Sequence, residues 1–315
     1  MPEVQTATGP VDSAALGQTL MHEHVVTLPW SVRANVPGAW EMDSVIEAAT
    51  ARVKDVMARG VRTIVDLTTV DLDRDVATVA AVARRSGCNI VVASGCWWQP
   101  PSYFSGAPIA WLVDLWTREI TEGIAGTGIR AGIIKLATDR AGVTPPIELM
   151  LRAGARTHRA TGVPISTHTH VGTRRGDDQQ RIFQEEGVDL SRIVIGHSGD
   201  SADLDYLKGL MERGSTIGMD RFGIDVLGSL EQRVATVAEL CRQGYAGQMV
   251  LSHDAGAAWG GFPGVPRAPQ WPNWHYNHIH DDVLPALRER GVSEAQIEQM
   301  LIANPQRIFE RQGSY

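Results

Sequence analysis

Cysteine is rare in this sequence, and its spacing excludes two common kinds of structural site. The 315 residues include three cysteines, Cys88, Cys96 and Cys241, which are odd in number and far apart. They match neither a disulfide framework nor the CxxC pair of a zinc knuckle, so we expect three buried thiols. The predicted chemistry therefore has to come from other side chains.

Long hydrophobic runs and an excess of positive charge are also absent. No stretch approaches the roughly 18 uninterrupted apolar residues of a membrane helix, and the first residues lack a basic segment followed by an apolar one. The formal net charge is −7 at pH 7, which disfavours nucleic acid and anionic membranes as partners. We therefore expect a soluble, cytoplasmic protein with neither nucleic acid nor a membrane as its partner.

Lysine is scarce although basic residues are common. Lysine and arginine total 29, of which only Lys54, Lys135 and Lys208 are lysine. Hydrophobic residues make up 43% of the chain and charged residues 21%, which is typical of a globular protein with a large core. The position of each lysine is therefore informative.

Short apolar, β-branched runs alternate along the chain with longer amphipathic segments, which is the pattern of strand and helix units around a parallel sheet. Strands are predicted near residues 21–26, 63–68, 90–95, 132–138, 164–170, 193–199, 216–220 and 249–254. Helices are predicted near residues 42–58, 75–85, 109–124, 146–160, 179–186, 203–212, 231–243 and 281–290, with a closing helix and a short tail over 293–315.

Eight such units predict an α/β fold, namely a (β/α)8 TIM barrel that forms a single domain over residues 1–315. A doubly wound sheet usually has fewer strands and a glycine-rich phosphate loop, and neither GxGxxG nor GxxxxGK[ST] occurs here. We expect residues 1–18 to form a lead-in segment. The Trp/Pro/Gly-rich stretch 257–277 lacks periodicity and is predicted to be a long active-site loop over the barrel mouth.

Barrel enzymes carry their reactive groups at the carboxyl ends of the strands, and polar residues of this chain fall at those ends. His22 and His24 in MHEH are two residues apart, so both side chains point to the same side of an extended strand. As an isolated pair they could equally be two hydrogen-bonded structural histidines. His168 and His170 in STHTH have the same parity, and His197 in IGHSGD also lies at a strand end.

Several imidazoles and one carboxylate thus converge on one mouth, because Asp254 ends the eighth predicted strand in LSHD. Neutral imidazoles and carboxylates are ligands for zinc, iron, cobalt or similar metals. His253 points away from Asp254 on a regular strand, which favours a structural role for it. The pattern therefore predicts a metal site.

Lys135 lies in the middle of a predicted strand, in GIIKLAT, among apolar neighbours. An ammonium group there loses its hydration unless something neutralises or pairs it. One interpretation is a salt bridge to a buried carboxylate. The interpretation that we favour beside the histidines is a carbamate formed with CO2, an anion whose two oxygens can bridge two metal ions. Such a pair of ions activates water and polarises a bound substrate, so hydrolysis is predicted, with Asp254 holding one ion and accepting the proton.

The motifs MHEH, GIIK, STHTH, IGHSGD and LSHD, in that order, resemble the phosphotriesterase family of binuclear metal hydrolases in the amidohydrolase superfamily. The resemblance implies a (β/α)8 barrel with one metal on His22, His24 and Asp254, a second on His168 and His197, and carboxylated Lys135 between them. The implied ions are two divalent metals, with Zn2+ first and Co2+, Fe2+ or Mn2+ as alternatives. His170 is implied only as a neighbour. The resemblance also implies a homodimer.

Within that family, GMDRFGID and PNWHYNHIHDDVLPAL resemble the phosphotriesterase-like lactonases, which implies a small lactone or ester as substrate, acyl-homoserine lactones in particular, with promiscuous phosphotriesterase activity. Arg221 matches a lactonase position near the mouth, and Trp259, Phe262 and Trp271 are candidates to line an acyl-chain channel. Trp97 replaces a tyrosine that many of these lactonases carry. The segment around it is closer to the phosphotriesterases, so organophosphate triester hydrolysis is the alternative activity, and a non-catalytic metal-binding barrel is a second alternative.

Overall fold

The computed structural model describes residues 2–259, 271–310 and 313–315, and within them the strands form two sheets. A short antiparallel hairpin precedes a nine-stranded parallel sheet in which the order is β10-β9-β8-β7-β6-β5-β4-β3-β11. The strands are β1 Glu3–Thr6, β2 Gly9–Asp12, β3 Gln18–Thr27, β4 Val61–Asp66, β5 Asn89–Gly95, β6 Ile133–Ala137, β7 Ile165–His168, β8 Ile193–Ile195, β9 Thr216–Met219, β10 Met249–Leu251 and β11 Gly256–Trp259.

The sheet closes into a barrel through its eighth barrel strand, which is interrupted and so consists of two halves, β10 and β11. The first half, β10, pairs with β9, and the second half, β11, pairs with β3. Across the interruption, the Asp254 N–H donates to the carbonyl of His22 at 3.0 Å and the His24 N–H donates to the carbonyl of Ala255 at 2.8 Å. The predicted (β/α)8 barrel is confirmed, whereas β11 lies within the stretch that was expected to be loop.

Helices follow the barrel strands and cover the outside of the sheet. They are α1 Trp30–Asn35, α2 Met42–Met57, α3 Val76–Ser86, α4 Ser102–Ser105, α5 Ile109–Thr121, α6 Pro145–Thr161, α7 Arg175–Glu185, α8 Leu204–Glu212, α9 Leu230–Arg242, α10 Leu284–Glu289, α11 Glu294–Glu298 and α12 Asn304–Glu310. Two π-helical turns, Ile279–Val283 and Gln299–Ala303, precede α10 and α12. In the described part of the chain, no helix combines the length and the apolar character needed to cross a membrane.

The helices pack through one apolar face. In α2, for example, Ala49, Val53 and Val56 are buried at helical spacing. The helix ends also carry sequence signals, since Ser293 and Gln296 form a capping box at the start of α11. These local signals explain why the predicted helices lie within a few residues of the observed ones, apart from α7, which begins at Arg175, earlier than predicted.

The amino-terminal end of the barrel is filled with apolar side chains. Val4 and Leu16, from the segment before β3, pack in one buried cluster with Ile133 and Val250, which lie at or near the starts of their strands, and with Phe309 of α12. Residues 1–18 were expected to be a simple lead-in, but β1 and β2 form a hairpin and the segment helps to close the barrel. The opposite end of the barrel is left for polar side chains.

A buried histidine outside the barrel mouth makes stability depend on pH. His158 of α6 is fully buried, with Nδ1 2.6 Å from the Val163 carbonyl and Nε2 2.7 Å from the Tyr315 hydroxyl. Burial lowers its pKa from 6.5 to about 4. Below pH 6.5 the unfolded chain therefore binds a proton that the folded protein does not, and this difference destabilises the fold by about 2.5 kcal/mol at pH 4.5.

We expect His158→Gln to remove this dependence, because glutamine does not titrate. Denaturant unfolding at pH 7 and pH 4.5 measures it: the loss of unfolding free energy between the two pH values should be smaller in the variant by about 2.5 kcal/mol. Equal losses in the two proteins would contradict the prediction.

Candidate active site

The carboxyl ends of the barrel strands surround a cavity of about 450 Å3. Its lining includes all six predicted metal ligands, which come from β3, β6 and β7, from the residues just after β8, and from the interruption of the eighth barrel strand. These residues are His22, His24, Lys135, His168, His197 and Asp254. Trp97, Arg221 and Trp271 line the same cavity. His170 does not join the cluster, because β7 ends at His168 and the His170 ring turns to the Thr173 hydroxyl, 2.9 Å away.

Three of the four histidines in the cavity have the outer ring nitrogen hydrogen-bonded to a carboxylate. Nδ1 of His22 and Nδ1 of His197 lie 2.8 and 2.9 Å from the two carboxylate oxygens of Asp220, which is buried. Nε2 of His168 lies 2.7 Å from Asp139, and this hydrogen bond holds the pKa of Asp139 below its ordinary value. A neutral imidazole has one N–H, so in these rings the proton lies on the outer nitrogen.

His24 reaches its acid through a hydroxyl group. The Thr68 hydroxyl donates to Asp66 at 2.5 Å, so its oxygen has to accept a hydrogen bond from Nδ1 of His24, 2.8 Å away. Nδ1, the outer nitrogen of His24, is therefore a donor, as in the other three rings. Carboxylates that orient imidazoles in this way are typical of metal-binding histidines, in which they fix the tautomer and the ring position.

The inner nitrogens then face one another and Asp254. Nδ1 of His168 lies 2.8 Å from Nε2 of His197, and Nε2 of His22 and of His24 lie 3.3 and 3.0 Å from the same Asp254 oxygen. Burial lowers the pKa of His22 and of His197, and lowers that of His168 to about 4, so these three rings are neutral near pH 7. Lone pairs so close together repel unless a cation contacts them, and the donor set therefore fits divalent metal ions.

Two groups of side chains place potential ligand atoms within 4.8 Å of one another, His22 with His24 and Asp254, and His22 with His197 and Asp220. In the second group, Asp220 contacts the protonated outer nitrogens. We therefore infer that Asp220 orients the two rings, whereas Asp254 faces the inner nitrogens of His22 and His24.

Lys135 lies beside this cluster, and none of the carboxylates that the structure describes pairs with it. Its Nζ is 3.0 Å from Nε2 of His22, and no carboxylate within the described ranges comes within 4.0 Å of it. The side chain is 1% exposed, and burial lowers its pKa to about 8. The buried salt bridge to a carboxylate that the sequence suggested is therefore not formed within the described residues. Gly95 of β5 pairs with Lys135, and a Cβ at Gly95 would lie 2.1 Å from the Lys135 carbonyl oxygen, so the close approach of the two strands requires glycine there.

Asp254 is held between the histidines and Arg221. One of its oxygens faces His22 and His24, and the other accepts a hydrogen bond from Arg221 at 3.0 Å. Arg221 also donates to Asp200 at 3.0 Å. The backbone is left-handed at Asp254 (φ 55°), Arg221 (φ 64°) and His197 (φ 59°), a conformation that residues other than glycine adopt rarely. Three site residues thus have backbone strain that the rest of the structure has to support.

The cavity walls above this polar floor are apolar. They consist of the side chains of Leu72, Trp97, Ile224, Val226, Leu227, Trp271 and Trp274. The Trp97 indole N–H lies 3.3 Å from Nδ1 of His168, so this tryptophan touches the cluster itself. Of the other predicted channel residues, Trp259 lies on β11, where only the backbone is described, and Phe262 lies outside the described residues. A polar floor with apolar walls suits a small uncharged substrate with an apolar group.

Sequence reasoning missed the acids that orient the histidines. Asp66 ends β4, Asp220 directly follows β9, and Asp139 lies two residues beyond β6. Each is an acidic residue at the carboxyl end of a barrel strand, which is the signal that could have identified it. Trp274 and the apolar residues after β9 were also missed, since apolar side chains in a loop give no distinctive pattern.

Comparison with known proteins matches residues 2–309 to the model of the Phosphotriesterase family. An aryldialkylphosphatase of Saccharolobus solfataricus is 36% identical, and the alignment covers 95% of this chain and 96% of the relative. The solved structure of the phosphotriesterase from Mycobacterium tuberculosis is 52% identical, with full coverage of both chains and a TM-score of 0.94. A structure from the engineering of organophosphate hydrolysis activity from a weak promiscuous lactonase template is 38% identical, covering 98% of this chain and 100% of that one, with a TM-score of 0.91.

Proposed function

Because the chain belongs to the phosphotriesterase family, a family of binuclear-metal hydrolases, we propose that it is a metal-dependent hydrolase that opens lactones, acyl-homoserine lactones among them, and hydrolyses organophosphate triesters more slowly. The observation that carries this proposal is the orientation of four buried imidazoles. Their outer nitrogens contact carboxylates or, for His24, the Thr68 hydroxyl that donates to Asp66, and their inner nitrogens lie near one another, Asp254 and Lys135.

We assign one metal ion to His22, His24 and Asp254 and the other to His168 and His197, with Lys135 shared between them. Zn2+ is the first candidate, and Co2+, Fe2+ and Mn2+ are alternatives because imidazole and carboxylate accept all four. Two bound divalent ions would supply water of lowered pKa and Lewis-acid polarisation of the substrate oxygen.

Lys135 is proposed to act as its carbamate. The neutral Nζ forms a bond to the carbon of CO2 and releases one proton, and the product is an N-carboxylate anion. Two features favour this reaction here, the absence of a carboxylate near Nζ in the described structure and the lowered pKa that leaves part of the amine neutral. The anion would offset the positive charge of two cations in a site where an unpaired ammonium is costly.

Asp254 is proposed to take the proton that the attacking water loses. Its second oxygen faces Arg221, whose guanidinium is a donor only and cannot accept that proton. Arg221 instead holds the carboxylate in place and presents positive charge at the cavity wall. Asp200 keeps Arg221 there through its own hydrogen bond.

The apolar walls favour a lactone with an acyl chain over a triester as the preferred substrate. Leu72, Ile224 and Leu227 offer contact area to an alkyl tail, and lactonase activity is named for the template of one structural relative. The specific observation that favours the triesterase alternative is Trp97, an aromatic wall in contact with His168, together with the aryldialkylphosphatase name of another relative.

Metal analysis combined with a substrate panel tests the proposal. We expect about two metal ions per chain, loss of turnover on chelation, and recovery with Zn2+ or Co2+. A long-chain acyl-homoserine lactone should then have a higher kcat/KM than an aryl dialkyl phosphate. A triester preference of roughly tenfold or more, about 1.4 kcal/mol, would reverse the ranking. Bound metal with no hydrolysis of any ester would favour the non-catalytic binder.

We also propose that the protein is a homodimer. Support comes from large apolar side chains that are exposed on three helices, Trp30 on α1 (61% exposed), Tyr103 on α4 (65%) and Trp111 on α5 (45%). Light scattering after size-exclusion chromatography measures the mass, and a monomer at micromolar concentration would contradict the proposal.

A further inference from the structure

Glu23 is a fully buried carboxylate between the two histidines of β3. Because side chains alternate along a strand, it points away from the cavity that His22 and His24 face. Its exposure is 0%. A buried carboxylate costs stability unless its oxygens are hydrogen-bonded, so the partners of Glu23 indicate what it does.

The partners of Glu23 are the residues on either side of Asp254. One carboxylate oxygen accepts hydrogen bonds from the backbone N–H of His253 at 3.0 Å and faces Nδ1 of His253 at 2.6 Å. The other oxygen accepts from the backbone N–H of Ala255 at 2.9 Å. The Glu23 carboxylate therefore binds the backbone N–H groups of the two residues on either side of the left-handed Asp254.

The tautomer of His253 follows from its other contact. Its Nε2 lies 3.0 Å from the backbone N–H of Ile279, which can only donate. Nε2 is thus the acceptor, and Nδ1 carries the proton that is donated to Glu23. Three N–H groups therefore point at the two oxygens of Glu23, and the side chain acts as an acceptor at both.

We propose that Glu23 is a positioning residue that fixes Asp254 in its left-handed conformation and so aims the Asp254 carboxylate at His22 and His24. The inference rests on the proposed function, in which Asp254 is a metal ligand. A residue at φ 55° is strained by itself and persists only if its surroundings hold it. At the interruption of the eighth strand, the Asp254 N–H still donates to the His22 carbonyl of β3, whereas the N–H groups of His253 and Ala255 donate to Glu23.

His253 connects this arrangement to the cavity wall. Its carbonyl accepts a hydrogen bond from the Trp274 indole at 2.9 Å, and its ring holds the start of the π-helical turn at Ile279. Trp274 lines the cavity. Residues 253–255 thus position Asp254 and also support the aromatic wall of the cavity. Substitutions at Glu23 and at His253 can separate these two effects.

Glu23→Gln tests the role of the carboxylate with little change of shape. The amide has one acceptor oxygen and one donor NH2, so either the His253 or the Ala255 N–H faces another donor. With Co2+ added to metal-free protein as the probe, we expect wild type to bind two ions. In the variant we expect the affinity for one ion to fall by roughly 10- to 100-fold, the size of effect seen when supporting groups of metal ligands are removed. The visible absorption of bound Co2+ should also change.

His253→Asn and Asn304→Leu are the matched controls. Asparagine keeps a donor near the position of Nδ1 but cannot accept from Ile279, so we expect Co2+ affinity within threefold of wild type and a raised KM because the turn at Ile279, which follows Trp274, loses its acceptor; the His253 carbonyl that accepts from Trp274 is unchanged. Asn304 is buried and donates to the carbonyls of Ala246 and Met249, at the start of β10. Its loss should lower thermal stability and leave Co2+ affinity unchanged, which separates positioning from stability.

Two outcomes would overturn the inference. One is Co2+ affinity in Glu23→Gln within twofold of wild type at both ions. The other is a crystal structure of the metal-free variant in which Asp254 keeps its φ and its contact with His24. The crystal structure does not depend on metal binding, so absence of Co2+ binding by the wild type would count against the proposed function alone.

Discussion

Lys135→Ala is expected to abolish the binding of both metal ions and to lower kcat/KM by at least about a thousandfold, or about 4 kcal/mol. Lys135 is proposed to bridge the two ions, so its loss removes a ligand from each. The methyl group of alanine can neither form a carbamate nor coordinate. Metal analysis of the purified variant, with kcat/KM on the best lactone of the panel, measures both effects.

Short carboxylic acids should partly restore this variant. The substitution leaves a cavity where the lysine side chain was, and acetate or propionate can place two oxygens there in the manner of a carbamate. Lys208→Ala is the matched control, because Lys208 lies on α8 and pairs with Asp205. Two metal ions and full turnover in Lys135→Ala, or no rescue by any acid, would argue against the bridging carbamate.

Asp254→Asn is expected to lower kcat by roughly 100- to 10,000-fold, the range usual for a lost general base. The amide keeps the shape of the side chain and one oxygen that can bind metal, but it cannot accept the proton from the attacking water. Metal content should therefore fall less than kcat.

Glu119→Gln is the control for this experiment. Glu119 is a partly buried acid on α5 that binds Arg74 and Ser94, outside the cavity. Its conversion to an amide should leave kcat within about twofold, as expected for a change that touches no reacting group. If Asp254→Asn stayed within tenfold of wild type, the proposed proton acceptor would have to be sought elsewhere.

The strands and helices could be predicted from the sequence because their signals are local. Runs such as Thr63–Thr68 alternate with amphipathic segments, and glycines and capping residues mark their ends. The hairpin of β1 and β2 could not be predicted in this way. Its apolar residues are few, and Val4 is buried only because it meets Phe309 at the closed end of the barrel.

The candidate ligands could also be found from the sequence, because the spacing of His22 and His24 fixes their parity and LSHD places Asp254 at a strand end. The parity argument failed at His170, where β7 had already ended. The spacing could not show that Lys135 lacks a carboxylate partner in the described structure. It also could not show that Glu23 accepts from the N–H groups of both residues beside Asp254, since those contacts depend on the interruption of the eighth strand.

The sequence by itself determined the barrel and the chemical types of the side chains at its mouth, because periodicity and strand-end position are properties of neighbouring residues. Only the tertiary structure decided which nitrogen of each imidazole carries the proton. The partners that fix it are distant in the chain: Asp220 lies 198 residues from His22, and Thr68 lies 44 residues from His24. Closure of the barrel brings these groups within hydrogen-bonding distance, and these contacts orient the four imidazole rings in the cavity.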